Sequence, residues 1–295
     1  MTVPLDLART LVAVIDAGTL DAAAQRLRIT PSAVSQRLKA LEQQLGQVVL
    51  VRSKPVQLTD AGAAVVRLAR QVALLEHDAL GSLGLSDEGV ATIPLAVNAD
   101  SLGTWILPAL ARVAARHPVA FDLRREDQDY TAQLLERGEV MAAVTSREQP
   151  VSGCTSTFLG AMRYRPVATP DFVEHWLAHG PTAAALAGAP VVFFDRRDDL
   201  QAQALRAMGV GDAVPPTHYV PASNDFARAV TLGLGWGMLP DAQCERELAD
   251  GRLVEFVSGR AVHVPLYWQQ WNLRSELLSA VADELAAEAR LALVR

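Results

Sequence analysis

Apolar residues recur at helical spacing through the first sixty positions of the chain. The first helix face is formed by Leu7, Leu11, Val14 and Ile15. Gly18 is typical of a helix end, and Thr19 and Thr30 are typical N-cap residues for two further helices. Pro31 fits the first turn of the third helix, where its missing N–H is not needed. The pattern therefore predicts three short helices separated by tight turns.

The third predicted helix has two chemically different faces. Its inward face consists of Val34, Leu38, Leu41 and Leu45. Short or forked hydrogen-bonding side chains on the opposite face are typical of a recognition helix that reads base edges. The runs 48–51 and 56–58 predict a small β-hairpin, a wing, after this helix. The residues expected to contact DNA are Thr30, Ser32, Ser35, Gln36, Arg37, Lys39, Arg52 and Lys54. A plain helical bundle with solvated charges is the alternative interpretation.

A longer helix is predicted after the wing, with Thr59 as its N-cap and an end near Leu83. Its heptad seam consists of Val65, Leu68, Val72, Leu75 and Ala79. This seam predicts dimerisation, because two helix-turn-helix heads can read two half-sites together. The alternative is a helix that packs on its own domain. The Gly- and Ser-rich stretch at 84–90 is expected to be a hinge.

From residue 91 onward, short apolar runs alternate with helical patterns. The predicted strands are 92–97, 120–125, 141–145, 191–194, 218–220 and 235–239, and the predicted helices include 102–116, 130–137 and 275–293. Such alternation indicates parallel α/β sheets, and the length suits two subdomains with a cleft between them. The domains are therefore 1–58, a winged helix-turn-helix; 59–83, a linker helix; 84–90, the hinge; and 91–295, an α/β effector domain.

Charge is distributed unevenly along the chain. Residues 1–58 carry seven Lys or Arg and four acids, a net charge of +3, whereas the whole chain carries −6. A basic N-terminal module on an acidic body is consistent with binding to a polyanion. No secretory signal or membrane-length apolar run is evident, and there are only two cysteines, so a cytoplasmic location is expected.

Enzyme and metal signatures are missing from the sequence. The pair His175 and His179 lacks a third ligand, so no metal site is predicted. The motif at 233–237 (GLGWG) follows a helix and enters a strand, the reverse of the order in a dinucleotide site. No nucleophile elbow or catalytic triad is evident, so no catalytic residue is assigned.

Four segments resemble the N-terminal signature of LysR-type transcriptional regulators: residues 17–24 (AGTLDAAA), 30–37 (TPSAVSQR), 41–46 (LEQQLG) and 58–62 (LTDAG). The chain has Leu50-Val51 where that family usually has Leu-Phe, a change that should cost aromatic packing and keep the fold. The resemblance implies an effector domain with the fold of type 2 periplasmic binding proteins. Its lobe I would span about 91–161 and 267–295, and its lobe II about 162–266. It also implies double-stranded DNA as partner, assembly as a dimer or a dimer of dimers, and RNA polymerase as a candidate partner.

Ligands of open α/β sheets bind beyond the carboxyl ends of strands. Applied here, that rule selects Asn98, Asp100, Ser101, Thr104, Glu126, Asp127, Asp129, Thr145, Asn224 and Asp225 as candidate effector contacts. A helix start surrounded by carboxylates would suit a zwitterion with an additional positive charge, such as L-lysine or L-arginine. Alternatively, Asp100 and Asp225 are N-caps and the acidic run is a solvated turn, and composition leaves both interpretations open.

Further segments, 98–101 (NADS), 126–129 (EDQD), 233–237 (GLGWG) and 265–269 (PLYWQ), resemble the ArgP/LysG branch of the LysR-type family. That branch senses basic amino acids and controls amino-acid exporter genes. The resemblance implies that Ser101 and Thr145 meet the α-carboxylate of the ligand. The implied candidates for its cationic groups are Asp100, Glu126, Asp127, Asp129 and Asp225. No other cofactor is expected. A regulator with a non-basic effector is the alternative, and a solute-binding protein or an enzyme on the same fold is less consistent with the sequence.

Overall fold

The computed structural model describes residues 2–51, 53, 56–85, 90–126, 131–211 and 213–295, which form two compact units. The first unit contains Met1–Val97, Leu110–Thr157 and Trp268–Glu284. The second contains Asn98–Ala109, Phe158–Tyr267 and Leu285–Arg295. Outside the described residues lie most of the predicted hinge and four predicted contact residues: Arg52, Lys54, Asp127 and Asp129.

The N-terminal elements of the first unit are α1 (Leu5–Ala17), α2 (Leu20–Leu27), α3 (Pro31–Leu45), β1 (Leu50–Val51), β2 (Gln57–Leu58) and α4 (Asp60–Ser82). Gly18 ends α1 with a left-handed φ of 72°. The hydroxyls of Thr19, Thr30 and Thr59 accept hydrogen bonds from the third residues beyond them and cap α2, α3 and α4. Strands β1 and β2 pair antiparallel. The predicted helices, caps and wing are therefore confirmed.

A hydrophobic core holds this winged helix-turn-helix together. It contains the predicted inward residues of α3, with Leu45 partly buried, and it extends to Val65 and Val66 of α4. Gly62 in the first turn of α4 permits this close packing, because a Cβ there would lie 1.9 Å from the backbone oxygen of Val49. The start of α4 therefore packs as part of the winged helix-turn-helix domain.

An ion-pair network ties α1 and α4 to the α/β part of the first unit. The carboxylate of Asp16 lies 2.5 Å from Nη2 of Arg70 and 3.0 Å from Nη2 of Arg124. Arg124 also reaches Glu139, at 3.3 Å. Burial lowers the pKa of Arg70, and the nearby Asp16 carboxylate opposes that effect. The pair is therefore largely removed from solvent.

The remaining elements alternate between strands and helices. In chain order they are β3 (Ala91–Val97), α5 (Ala99–Thr104), α6 (Ile106–Arg116), β4 (Val119–Arg125), α7 (Thr131–Glu136), β5 (Ala142–Thr145), β6 (Cys154–Ala168), α8 (Pro170–Trp176), α9 (Ala183–Gly188), β7 (Val191–Phe193), α10 (Leu200–Ala207), β8 (Thr217–Tyr219), α11 (Ser223–Thr231), β9 (Gly237–Pro240), α12 (Asp241–Ala249), β10 (Val254–Glu255), β11 (Val262–Trp271) and α13 (Glu276–Ala292). The predicted α/β class is confirmed. Within the described ranges, none of the helices combines the length and apolar character needed to cross a membrane.

Each unit has its own strand pairing. In the first unit, β3 lies between β4 and β5 and is parallel to both, with Leu95 opposite Leu123 and Ala142. In the second unit, β6 pairs antiparallel with β9 and β10, and β7 pairs in parallel with β8. A core that includes Val192 and Phe226 packs α11 and α12 onto these strands. The carboxyl ends of β7 and β8 therefore share one edge.

The prediction of one helix over 102–116 was wrong, because α5 and α6 are separate helices divided at Trp105. Trp105 is buried and has a non-helical φ of −128°. Pro108 explains the break. In a continuous helix it would have no N–H to donate to the carbonyl of Thr104, and its ring would clash with that carbonyl. In the first turn of α6 it causes neither problem.

The two units also group residues differently from the predicted lobes. Residues 98–109 and 285–295 belong to the second unit, although the predicted boundaries placed them in lobe I. Side-chain hydrogen bonds from Tyr164 and Ser223 hold Asp100 of α5 there. Val294 exchanges two backbone hydrogen bonds with Ala161, of 2.7 and 3.0 Å, which hold the chain end there.

Candidate DNA-binding surface and effector site

Helix α3 presents a polar face to solvent. Of the residues predicted to contact DNA, Thr30, Ser32, Gln36, Arg37 and Lys39 are exposed, and Ser35 is half-buried. The Thr30 hydroxyl lies 2.9 Å from the Ser32 hydroxyl, so the helix cap is continuous with this face. Donors, acceptors and two cations on one exposed helix can contact both base edges and phosphates.

The predicted dimerisation seam on α4 requires one correction. Val65 is only 6% exposed and packs in the core of its own domain, so its side chain is not available to a second copy. Leu68 and Leu75 are 38% and 40% exposed, Val72 is half-buried, and Ala79 is exposed. The available apolar stripe therefore begins at Leu68.

A buried hydrogen-bond network surrounds Asp100 in the second unit. Its Oδ2 accepts a 2.7 Å bond from the Tyr164 hydroxyl, and its Oδ1 accepts a 2.7 Å bond from the Ser223 hydroxyl. Gln243 donates to the Ser223 hydroxyl at 2.8 Å and to Asn224 Oδ1 at 3.3 Å. Burial raises the pKa of Asp100, and the two hydroxyl donors oppose that rise. Among the described residues, no cationic side chain pairs with this carboxyl.

Two other polar side chains of this segment are buried without partners. Asn98 is 2% exposed, and neither its Oδ1 nor its Nδ2 has a hydrogen-bond partner among the described residues. Ser101 is 0% exposed, and its Oγ is also unpartnered there. Buried polar groups in folded proteins are nearly always hydrogen-bonded, so such groups suggest a place for a polar ligand.

The other candidate effector residues have varied surroundings. The Thr104 hydroxyl donates to the Asp100 backbone oxygen at 2.5 Å, and buried Thr145 accepts from the Arg147 N–H at 3.2 Å. Asn224 and Asp225 are exposed in the first turn of α11, and Glu126 is half-buried after β4. The second unit brings Asn98, Asp100, Ser101, Thr104 and Asn224 into one neighbourhood, since α5 packs against α11.

Sequence reasoning missed three residues of this neighbourhood: Tyr164 and Ser223, whose hydroxyls donate to Asp100, and Asp198, whose pKa the Asp100 carboxylate raises. Asp198 could have been found, because it follows the predicted strand at 191–194 and so obeys the carboxyl-end rule applied to other strands. Tyr164 had no comparable signal, since it lies within the long strand β6.

A winged helix-turn-helix with an exposed polar helix, joined to an α/β domain in which described polar groups are buried without described partners, defines a ligand-responsive DNA-binding regulator. Residues 5–63 match the profile of bacterial regulatory helix-turn-helix proteins of the lysR family. Residues 86–290 match the LysR substrate binding domain. The chain belongs to the LysR family.

Individual relatives agree with this assignment over nearly the whole chain. The HTH-type transcriptional regulator LysG of Mycobacterium tuberculosis is 46% identical over 280 residues, which cover 95% of this chain and 91% of the relative. The crystal structure of ArgP from Mycobacterium tuberculosis has 45% identity, 98% coverage of both chains and a TM-score of 0.84. Full-length LysG from Corynebacterium glutamicum with bound effector Arg has 34% identity, 100% coverage of both chains and a TM-score of 0.78.

Proposed function

We propose that this protein is a transcriptional regulator whose α/β domain binds a basic amino acid, L-arginine or L-lysine, as its effector. The observation that carries the proposal is a group of three buried side chains in one segment. Among the described residues, Asn98 and Ser101 have no hydrogen-bond partner, and the Asp100 carboxyl has no cationic partner. Hydrogen-bond donors suit an α-carboxylate, and carboxylates suit ammonium or guanidinium groups. The arginine-bound LysG relative supports the same ligand class.

Effector contacts are proposed for each candidate named from the sequence. Asn98, Ser101 and Thr104 would bind the α-carboxylate end, together with Thr145. The acids proposed for the cationic groups are Asp100, Glu126, Asp127, Asp129 and Asp225, with Asn224 beside them. Asp225 and Glu126 are the more solvated of the described acids, so they would contribute less than a buried carboxyl.

The N-terminal domain would bind double-stranded DNA through Ser32, Ser35, Gln36, Arg37 and Lys39, with Arg52 and Lys54 of the wing on phosphates. Dimerisation would use the exposed stripe of Leu68, Val72, Leu75 and Ala79 on α4, so that two heads hold one operator. The exposure of Ser32, Gln36, Arg37 and Lys39 on α3, and of Leu68, Leu75 and Ala79 on α4, supports this arrangement.

The regulated genes would include a basic amino-acid exporter, with RNA polymerase as a partner at the promoter. The protein would act in the cytoplasm and without catalytic turnover. Effector binding changes transcription only if the ligand binds one conformational state of the protein more tightly than another.

Isothermal titration calorimetry on the full-length protein tests the effector. L-arginine or L-lysine is expected to bind, and L-citrulline, which lacks the side-chain charge, is expected to bind at least about tenfold more weakly.

Ser101→Ala should weaken binding by about tenfold and leave the free energy of unfolding unchanged, because the hydroxyl has no partner within the described protein. Ser82→Ala, on α4, is the matched control. Absence of heat and of any thermal shift with both basic amino acids would reject the proposal, and binding of a neutral or acidic amino acid instead would indicate the non-basic alternative.

A further inference from the structure

Asp198 is a second buried acid of the second unit. Its Oδ2 accepts a 2.9 Å hydrogen bond from the Phe194 N–H, and its Oδ1 accepts a 3.0 Å bond from the Leu200 N–H. Burial raises the pKa of Asp198, the two N–H groups oppose this, and the carboxylates of Asp100 and Asp195 raise it further. Among the described residues, no cationic side chain is paired with Asp198.

Hydrogen bonds connect Asp198 to Asp100 along the carboxyl edge of the β7–β8 sheet. Phe194, the partner of Asp198, directly follows β7. The neighbouring Phe193 oxygen accepts a 2.9 Å bond from the Val220 N–H, just beyond β8. The Val220 oxygen in turn accepts from the Ala222 N–H at 2.9 Å, and Ser223 follows with its hydroxyl on Asp100. The two acids therefore lie on one edge of a parallel sheet, the place where α/β domains bind ligands.

Unpartnered polar atoms flank both acids. Gln201, one turn beyond Asp198 on α10, is 2% exposed, and its Oε1 has no hydrogen-bond partner among the described residues. Asn98 and Ser101, on either side of Asp100 in the sequence, also have side-chain polar atoms without partners among the described residues. Among the described residues, the Asp198 segment therefore offers one unpartnered acceptor, Gln201 Oε1, and the Asp100 segment offers an unpartnered amide and an unpartnered hydroxyl. Such a division matches a molecule that has a cation and an anion attached to the same carbon atom.

We propose that Asp198, assisted by Gln201 Oε1, binds the α-ammonium group of the effector amino acid, while Asn98 and Ser101 bind its α-carboxylate. The assignment rests on the proposed function. The α-nitrogen and the carboxylate are attached to one carbon atom, so their binding partners must be close together. The Asp100 carboxylate, in the same segment as Asn98 and Ser101, is near enough to raise the pKa of Asp198. The side-chain cation lies several bonds away and requires other acids. Asp198 therefore recognises the α-ammonium group, which is common to all amino acids.

Calorimetry with two ligands tests this assignment on the full-length protein. The ligands are L-arginine and 5-guanidinopentanoic acid, which is arginine without its α-amino group. Asp198→Asn is expected to weaken L-arginine binding by about 10- to 100-fold, because a charge-assisted hydrogen bond is lost. The same variant should change affinity for 5-guanidinopentanoic acid by less than about twofold. Asp199→Asn, at the exposed neighbouring acid that pairs with Arg206, is the matched control and should change neither affinity.

Gln201→Met provides an independent variant that removes the unpartnered oxygen and keeps the side-chain size. It should weaken L-arginine binding by about three- to tenfold and spare the analogue. An equal loss for both ligands in the two variants, or no loss for L-arginine, would overturn the assignment even though the wild type binds L-arginine. If the wild type binds neither L-arginine nor L-lysine, the proposed function itself fails, and the assignment fails with it.

Discussion

A glycine controls how closely α4 approaches the wing. An added Cβ at Gly62 would lie 1.9 Å from the Val49 oxygen and 3.1 Å from Leu58 Cδ2, so backbone would have to move. A Cβ added at Gly81, near the other end of α4, would have no neighbouring atom within 4 Å. One helix therefore contains both a required glycine and a replaceable one.

Gly62→Ala is expected to lower the free energy of unfolding by about 3 kcal/mol, because overpacking against backbone cannot relax through side-chain rotation. Gly81→Ala should be neutral or slightly stabilising, since alanine favours helix over glycine. Urea unfolding of both variants measures the difference. Equal stability of the two variants would contradict the close approach.

The two thiols are expected to be unreactive in the folded protein. Burial raises the pKa of both Cys154 and Cys244 to about 12, above the ordinary value for a thiol. At pH 8 the thiolate fraction would be roughly one in ten thousand, and it would increase as the pH approaches 12. Labelling with a disulfide reagent at pH 8 should be slow in buffer and fast in urea. Rapid stoichiometric labelling of the folded protein would refute this expectation.

Helices α1 and α4 and strand β4 are joined by a shared carboxylate. The side chain of Arg70 is 8% exposed and that of Asp16 is 14% exposed, so their ion pair is not a solvated surface pair. Removing one member of such a pair leaves a desolvated charge uncompensated, which costs more than the pair contributes. These elements should therefore respond together to a change at Asp16.

Asp16→Asn is expected to destabilise the protein by about 3 kcal/mol in chemical unfolding, because Arg70 and Arg124 lose their shared counter-charge. Asp6→Asn is the matched control: its side chain is 94% exposed, and its ion pair with Arg9 should contribute less than about 0.5 kcal/mol. If the two substitutions lower the free energy of unfolding equally, the ion-pair network does not stabilise the fold.

On the proposed function, two copies of a weakly basic head would bind one operator together, since residues 1–58 carry a net charge of only +3. The exposed stripe of α4 would hold the two copies together, and each α3 would make its own phosphate and base contacts. A substitution in the stripe should therefore weaken both self-association and DNA affinity. A substitution on the polar face of α3 should weaken DNA affinity and leave self-association unchanged.

Leu75→Glu is expected to weaken dimerisation by at least about tenfold, because a charge would enter an apolar helix seam. Sedimentation equilibrium measures the effect, and a gel shift should show a parallel loss of DNA binding. Ala73→Glu adds the same charge at another exposed position of α4 and should have little effect. Unchanged self-association of Leu75→Glu would rule out this stripe as the interface.

Lys39→Gln is expected to lower DNA affinity and to reduce the slope of log affinity against log salt concentration by about one for each head. Fluorescence anisotropy with a labelled duplex at several salt concentrations measures the slope. Arg246→Gln, which removes an 87% exposed cation on α12, is the matched control and should preserve it. An unchanged slope for Lys39→Gln would remove this residue from the phosphate contacts.

The sequence by itself determined the features that depend on neighbours along the chain. Caps at Thr19, Thr30 and Thr59, the end of α1 at Gly18 and the polar face of α3 are local, because each rests on residues within one or two helical turns. The alternation of strands and helices is also local, and it predicted the α/β class. Most of the candidate effector residues near Asp100 followed from one rule about strand ends.

Only the tertiary structure decided which surfaces are buried and which distant acids meet. The heptad spacing of α4 could not show that Val65 belongs to a core and Leu68 to the surface, because the core that contains Val65 is assembled from residues of α1, α2, α3 and β1. Asp100, Tyr164, Asp198 and Ser223 are far apart in sequence, and they share one neighbourhood through strand pairing and side-chain hydrogen bonds. Contacts of this kind depend on the packing of whole elements, for which a local pattern contains no signal.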